Sequence, residues 1–318
     1  MNIGQFTSNC FITGIGCAVG DLVDIGSIKE LQENEDLRET LLTLGLETYS
    51  VCNSDAISMA IESIEKSLKS ADIPVKEIDA IIYATSGYAM AGKSWDPTIY
   101  SHKMKTIIGN LGLEHAIPYG VSFSQCVNFI AAVEMACGLL STKLYRNVLI
   151  VVADALTNKI SRIVEPGISV ISDVAASCVI SKTVNKGLRI ESVSQVVDWG
   201  LLDVSSSTQF SEYFKRTADG IANIADKMYT ELKRTPEEFT QLITNSVNIS
   251  VLRILSQKTG FPVNKIFKEN IARLAHCDSA DILVNLEDYL CAQNPEINSR
   301  LLAIASGPFI WGGMSLVV

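Results

Sequence analysis

The chain has 318 residues, 47% hydrophobic and 19% charged, with a formal net charge of −9. That suffices for a large buried core, either one big α/β unit or two closely packed halves. An acidic balance with no basic block argues against nucleic-acid binding, and no apolar run reaches the roughly 18 residues of a membrane span. The start, MNIGQFTSNCFITGIG, has neither the basic n-region nor the unbroken apolar h-region of a signal peptide, so the expected compartment is the cytoplasm.

In chain order, residues 55–73, DAISMAIESIEKSLKSADI, read as a helix, and 77–87, EIDAIIYATSG, as a buried strand. A β-rich run then ends at Ser124 and Gln125, Cys126 follows, and a helical pattern continues to about residue 140. Residues 147–155, NVLIVVADA, form the next strand. Short apolar strands alternating with longer helices indicate a mostly parallel buried sheet. The second half replays this order. Residues 224–248 resemble 64–87, residues 252–270 echo 103–122, residues 278–290 echo the helix after Cys126, and 299–318 echo the strands from 146 to 182. A repeat of about 150 residues marks a duplicated domain rather than a solenoid. No linker separates the halves, and the join falls near 181–187, giving domains 1–183 and 184–318.

The eight cysteines, at 10, 17, 52, 126, 137, 178, 277 and 291, form no C-x-x-C pair and lie mostly in apolar runs. Most therefore read as small buried hydrophobes with reduced thiols. The three histidines, at 102, 115 and 276, build no H-x-x-x-H or Cys/His cluster, so neither a metal nor a cofactor is expected. Cys126 is the exception among the cysteines. Sites in α/β sheets form where strands end and helices begin, and a helix start stabilises a thiolate. Cys126 is thus a candidate nucleophile, against the alternative of an inert buried thiol.

The segment SFSQCVNFIAAVEMACGLL (122–140) resembles the active-site segment of the ketoacyl-carrier-protein synthase III family of the thiolase superfamily. Residues 41–48, LLTLGLET, look like its R-T-G-I turn. The strand at 77–87 resembles its strand before the dimer loop, ISDVAASCVIS its G-D-G-A-A motif with Asp173 kept, and SGPFIWGGMSLVV its closing glycine-rich strand. The resemblance implies an α/β thiolase fold, a five-layer α-β-α-β-α sandwich of two duplicated halves. It also implies an acylated Cys126. Family catalysts carry Cys, His and Asn. Here ITNSVN (243–248) puts Asn245 at the His position, and HCDSAD (276–281) puts Asp278 at the Asn position, with His276 two residues before it. The expected constellation is Cys126, Asn245 and Asp278, with His276 either an alternative base or a structural histidine. Gly307 matches the glycine that completes the oxyanion hole with Cys126, while Pro308 offers no N–H.

An ionised Asp278 would repel an enolate but could accept a proton from an attacking hydroxyl or amine. The resemblance therefore implies a cytoplasmic acyltransferase of secondary metabolism. It would move an acyl group from a carrier protein or coenzyme A through a cysteine thioester to a hydroxyl, amine or pre-activated carbon. Two alternatives stand beside it: a condensing enzyme of 3-oxoacyl synthase type, and a degenerate partner subunit of a heterodimeric synthase. Thr43 in place of the family arginine favours a carrier-protein donor, docked on residues 248–258 through Arg253 and Lys258. Two acidic proteins repel at long range, so such docking needs a local basic patch. A homodimer, or a heterodimer with a homologous synthase, is expected.

Overall fold

The computed structural model describes residues 9–86, 98–156, 160–164 and 167–318. The segment expected to cross between subunits lies largely outside them. The nine strands of the main sheet are β1 (Phe11–Val19), β2 (Ala80–Ala84), β3 (Ile117–Val121), β4 (Asn147–Asp154), β5 (Val174–Ser181), β6 (Leu188–Val197), β7 (Gln241–Thr244), β8 (Arg300–Ser306) and β9 (Ile310–Val317). The longer helices among the described residues are α1 (Ala56–Ala71), α2 (Thr98–Leu111), α3 (Asn128–Ser141), α4 (Phe210–Leu232), α5 (Ile249–Thr259) and α6 (Asp281–Gln293).

The strand order is β7-β8-β9-β6-β1-β5-β4-β2-β3. Read outward from the β1–β6 contact, each side begins with a long strand, continues through a chain-late antiparallel strand and ends in parallel ones. The sheet is mixed, which corrects the expectation of a mostly parallel one. Only β2–β3, β2–β4 and β7–β8 are parallel. The last two strands of each half in chain order, β4–β5 and β8–β9, pair antiparallel, and among the described residues no helix lies between them.

The helices sort by how much of their surface is apolar. α1 buries one stripe, Met59, Ala60, Ile64, Leu68 and Ala71, against β1 and β5. Asp55 caps it by accepting the Ile57 and Ser58 N–H groups. α3 buries Phe129, Ile130, Ala132, Val133, Ala136 and Leu140, and both α3 and α6 touch strands of both sides. A helix buried nearly all round belongs in a central layer. The layers are therefore outer helices, strands, α3 with α6, strands, outer helices. No helix among the described residues is long and apolar enough to cross a membrane.

Asp173, at the head of β5, ties three segments together. Its buried carboxylate accepts the Cys52 N–H at 3.0 Å, the Leu156 N–H at 2.9 Å and two Arg162 N–H groups at 3.0 and 2.6 Å. The paired geometry offsets the burial of that charge.

Gly220 on α4 sets how closely that helix lies on β9. A Cβ there would sit 2.2–2.4 Å from the Trp311 ring. Gly220→Ala should lower stability by about 1–3 kcal/mol, the range for overpacking a core, even though alanine favours helix. Urea denaturation checks this, and an unchanged midpoint would contradict the packing.

Candidate active site

The site assembles where strands end. Ser86 follows β2, Cys126 lies beyond β3 ahead of α3, Asp154 closes β4, Asn245 follows β7 and Ser306 ends β8. Parallel strands aligned in register bring these ends to one edge.

Cys126 Sγ lies 3.5 Å from His276 Nε2. The other ring nitrogen, Nδ1, is 2.6 Å from Asp281 Oδ2. That contact fixes a proton on Nδ1 and turns Nε2 toward the sulfur. Asp281 also accepts the Cys277 N–H at 2.8 Å, the Ser246 N–H at 3.1 Å and the Asn245 amide at 3.2 Å. Asp278 completes the group, with donor atoms of Cys126, His276 and Asp278 all within 4.8 Å of one another. His276, Asp278 and Asp281 are buried, and Cys126 is half-buried.

This geometry corrects the expected cysteine–asparagine–aspartate set. The site keeps a histidine, and it is His276. Asn245 serves the layer behind: its amide donates to Asp281 and its carbonyl accepts the Ser306 N–H at 2.7 Å. The histidine comes from the turn before α6 rather than from the end of β7. Aligning motifs placed Asn245 in the family histidine's register but said nothing of which imidazole reaches the sulfur.

Charge around the sulfur departs from the helix-start expectation as well. Burial, and then the Asp278 carboxylate, push the Cys126 thiol up to about 11, while His276 pulls the other way. For His276, burial disfavours the charged ring, but Asp281 and then Cys126 outweigh it and hold its proton affinity well above the ordinary imidazole value. At rest Cys126 is therefore a protonated thiol.

Other candidates fall at varying distances from this centre. The Gly307 N–H donates to the Ile310 carbonyl at 2.8 Å inside the β8–β9 turn. Lys258 pairs with Asp219 at 2.8 Å, Arg253 is exposed on α5, and Thr43 is exposed. Four residues of the site were missed from the sequence. Asp281 stands five residues after His276. Ser86 and Asp154 carry the strand-end signal that singled out Cys126. Tyr213, on α4, has its phenol raised by burial and then by the charge of Cys126. The cysteine–histidine–carboxylate trio is also a donor set that zinc accepts. An ion there would occupy the thiolate and block it as a nucleophile.

Residues 123–209 match the 3-oxoacyl-[acyl-carrier-protein] synthase III family. The β-ketoacyl-[acyl-carrier-protein] synthase III 2 of Vibrio cholerae is 24% identical over 290 residues, 84% of this chain and 77% of that protein. Among solved structures, the acyltransferase ChlB3 superposes with a TM-score of 0.82 at 15% identity, over 97% of both chains. The 3-oxoacyl-[acyl-carrier-protein] synthase III of Aquifex aeolicus gives 0.76 at 18% identity, over 97% of this chain and 100% of that one. The chain has the thiolase fold. On it, Cys126, His276 and Asp278 form a cysteine-centred cluster of catalytic type.

A thiol raised this far should alkylate slowly at neutral pH. Iodoacetamide labelling of Cys126, followed by peptide mass, should accelerate through the alkaline range as the thiolate forms. Asp278→Asn removes the negative neighbour and should move that rise to lower pH, whereas His276→Gln should move it higher. A wild-type inflection at or below neutral would contradict this account of the site.

Proposed function

We propose that this protein is an acyltransferase that carries its acyl group as a thioester on Cys126 and delivers it to a hydroxyl or amine. The observation that carries the reading is a carboxylate, Asp278, placed with His276 beside the thiol. In loading, the sulfur attacks the donor thioester while His276 Nε2, in its neutral form, takes the thiol proton and returns it to the departing thiol. In transfer, the acceptor's O–H or N–H proton goes to Asp278 as the acceptor attacks the acyl carbon. The Cys126 sulfur then leaves and takes back the proton that Asp278 received, which restores both the thiol and the carboxylate. Asp281 keeps the ring aimed throughout, and Asn245 helps hold Asp281.

Developing negative charge on the thioester oxygen faces the Cys126 N–H at the start of α3. Gly307 would add a second donor only by sharing the N–H it gives to Ile310. The donor is a carrier protein or coenzyme A, with the exposed Arg253 as a docking contact. Lys258 contributes there only if it exchanges Asp219 for the partner.

A second reading is condensation onto a pre-activated carbon nucleophile, favoured by the match of residues 123–209 to a synthase family. A carboxylate beside the sulfur opposes any route that builds an enolate there by decarboxylation. The intact cysteine–histidine pair counts against a catalytically degenerate partner subunit.

Half-reactions separate these readings. Cys126→Ala should abolish acyl loading seen by intact mass, with little loss of fold. Asp278→Asn should keep loading but slow transfer by roughly 10²–10⁴-fold, the span for losing a general base. Acyl-enzyme would then accumulate in single-turnover experiments. Equal slowing of both halves would count against Asp278 as the base, and efficient malonyl decarboxylation by the wild type would favour condensation.

A further inference from the structure

Cys126, His276 and Asp278 offer one ligand atom each, all within 4.8 Å of one another. They come from the turns ahead of α3 and α6, and Cys126 and His276 stand 150 residues apart in the chain, so no ligand spacing in the sequence announces them. Zinc binds sulfur at about 2.3 Å and imidazole nitrogen at about 2.0–2.1 Å, which in a tetrahedron sets the two ligand atoms about 3.5 Å apart. Cys126 Sγ and His276 Nε2 have that separation, 3.5 Å. A thiol–imidazole hydrogen bond spans the same distance, and what separates the two arrangements is Asp278. Buried carboxylates are paired with cations or bind metals, yet the hydrogen-bond partners of Asp278 among the described residues are two serine hydroxyls, Ser86 at 2.9 Å and Ser279 at 3.4 Å. His276 Nδ1 lies 2.6 Å from Asp281 Oδ2, the carboxylate–histidine contact that orients an imidazole toward a metal. Two carboxylates around one thiol also set up a negative potential, which opposes a free thiolate and attracts a dication.

We propose that Cys126, His276 and Asp278 form a zinc site with an open fourth position, and that zinc bound there reversibly blocks acyl loading. The blocking half rests on the reading of Cys126 as the acylated thiol. A thiolate, an imidazole and a carboxylate suit zinc, whereas magnesium and calcium take oxygen ligands. Three protein ligands leave the fourth position to water or a substrate oxygen. Binding forms a bond from zinc to Sγ and breaks the S–H bond; the thiol proton, and any proton on Nε2, go to the solvent. Nothing is oxidised or reduced. The ion engages the sulfur that attacks the donor, the Nε2 that takes its proton and the carboxylate that serves transfer. Zinc and an acyl group therefore exclude each other. Capping the sulfur removes the thiolate ligand, and the metal removes the nucleophile.

The test uses the full-length protein, stripped with EDTA, desalted and titrated with cobalt(II) as the spectroscopic stand-in for zinc. A single equivalent should give a sulfur-to-cobalt charge-transfer band with the intense visible bands of tetrahedral cobalt, and added zinc should abolish both. Cys126→Ala should lose the charge-transfer band, while Cys52→Ala and Cys291→Ala, the other thiols that are not buried, should keep it. His276→Gln and Asp278→Asn should each weaken zinc binding by at least about tenfold, the lower end for losing even an outer-shell partner. Zinc should also stop acetyl loading from acetyl-S-N-acetylcysteamine, read by intact mass, and EDTA should restore it. Protein already acetylated on Cys126 should show no charge-transfer band. No band in folded wild-type protein, a band that survives Cys126→Ala, or unchanged zinc affinity in Asp278→Asn would overturn the site, while acetyl loading of the zinc-free protein would keep the acyltransferase reading standing. Zinc held at a single equivalent by a protein that never accepts acetyl would instead sink that reading and the blocking half with it, and leave the metal site. If the variants do not fold, the wild type decides. Zinc should shield Cys126 from iodoacetamide, at a pH where the zinc-free protein labels, and leave Cys291 labelling unchanged; Cys126 labelling at the zinc-free rate would overturn the site.

Discussion

The site depends on two copies of one turn, pinned to each other. Gln125 and Asp278 each stand three residues ahead of a central helix, and both take a left-handed backbone, with φ of 50° and 51°. Each helix's first residue reaches back four positions: Asn128 Oδ1 accepts the Ser124 N–H at 2.9 Å, and Asp281 Oδ1 accepts the Cys277 N–H at 2.8 Å. The Ser279 hydroxyl then bonds the Gln125 carbonyl at 2.9 Å and joins the two turns. A left-handed backbone at a non-glycine residue is costly unless its surroundings fix it, and here the caps and the cross-link do so. The duplication thus gives the site its shape, and divergence gives it its chemistry. Where one copy has Gln125 and Cys126, the other has Asp278 and Ser279.

That arrangement divides the acidic residues by task. Asp281 is saturated: its two oxygens accept from His276, from two backbone N–H groups and from Asn245. Such a carboxylate orients its neighbours and is poorly placed to take a further proton. Asp278 accepts far less and lies toward the sulfur, so it keeps capacity for chemistry. Between them His276 is held by one carboxylate and presented to the thiol. The same logic explains Asn245, whose amide joins the ends of β7 and β8 to the cap of α6 rather than to any substrate position.

Much of this was legible in the sequence. The duplicated order of strands and helices, the placement of Cys126 before a helix and the oddity of Asp278 all follow from periodicity, spacing and resemblance. Two things did not. Strand direction in a duplicated α/β chain depends on whether the last strand of each half returns without a helix, and the apolar runs at 147–154 and 174–181 look alike in either direction. His276 ranked only as an alternative base, behind Asn245 and Asp278, for a different reason. A motif fixes backbone register, whereas the imidazole that reaches the sulfur depends on what anchors its far nitrogen. Here Asp281, five residues along, supplies that anchor, and the spacing from His276 to Asp281 was the only sequence signal.

The protonated thiol is the consequence that links the geometry to the type of reaction. The start of α3 favours a thiolate, but burial and a facing carboxylate oppose it more strongly. A site that stored its sulfur as an anion would set that charge beside Asp278 in a region with little water, where like charges repel strongly. Keeping the thiol neutral removes the conflict at rest, and in the proposed loading step attack waits on the neutral form of His276, the minor form of a ring whose proton affinity is raised. On the proposed reading, once Cys126 is acylated the sulfur carries no charge, and Asp278 faces an acyl carbon with a neutral acceptor approaching it. In that step the sulfur no longer repels the carboxylate, which is complementary to the positive charge that grows on an attacking oxygen or nitrogen. The same residue that hinders the first half of the cycle favours the second.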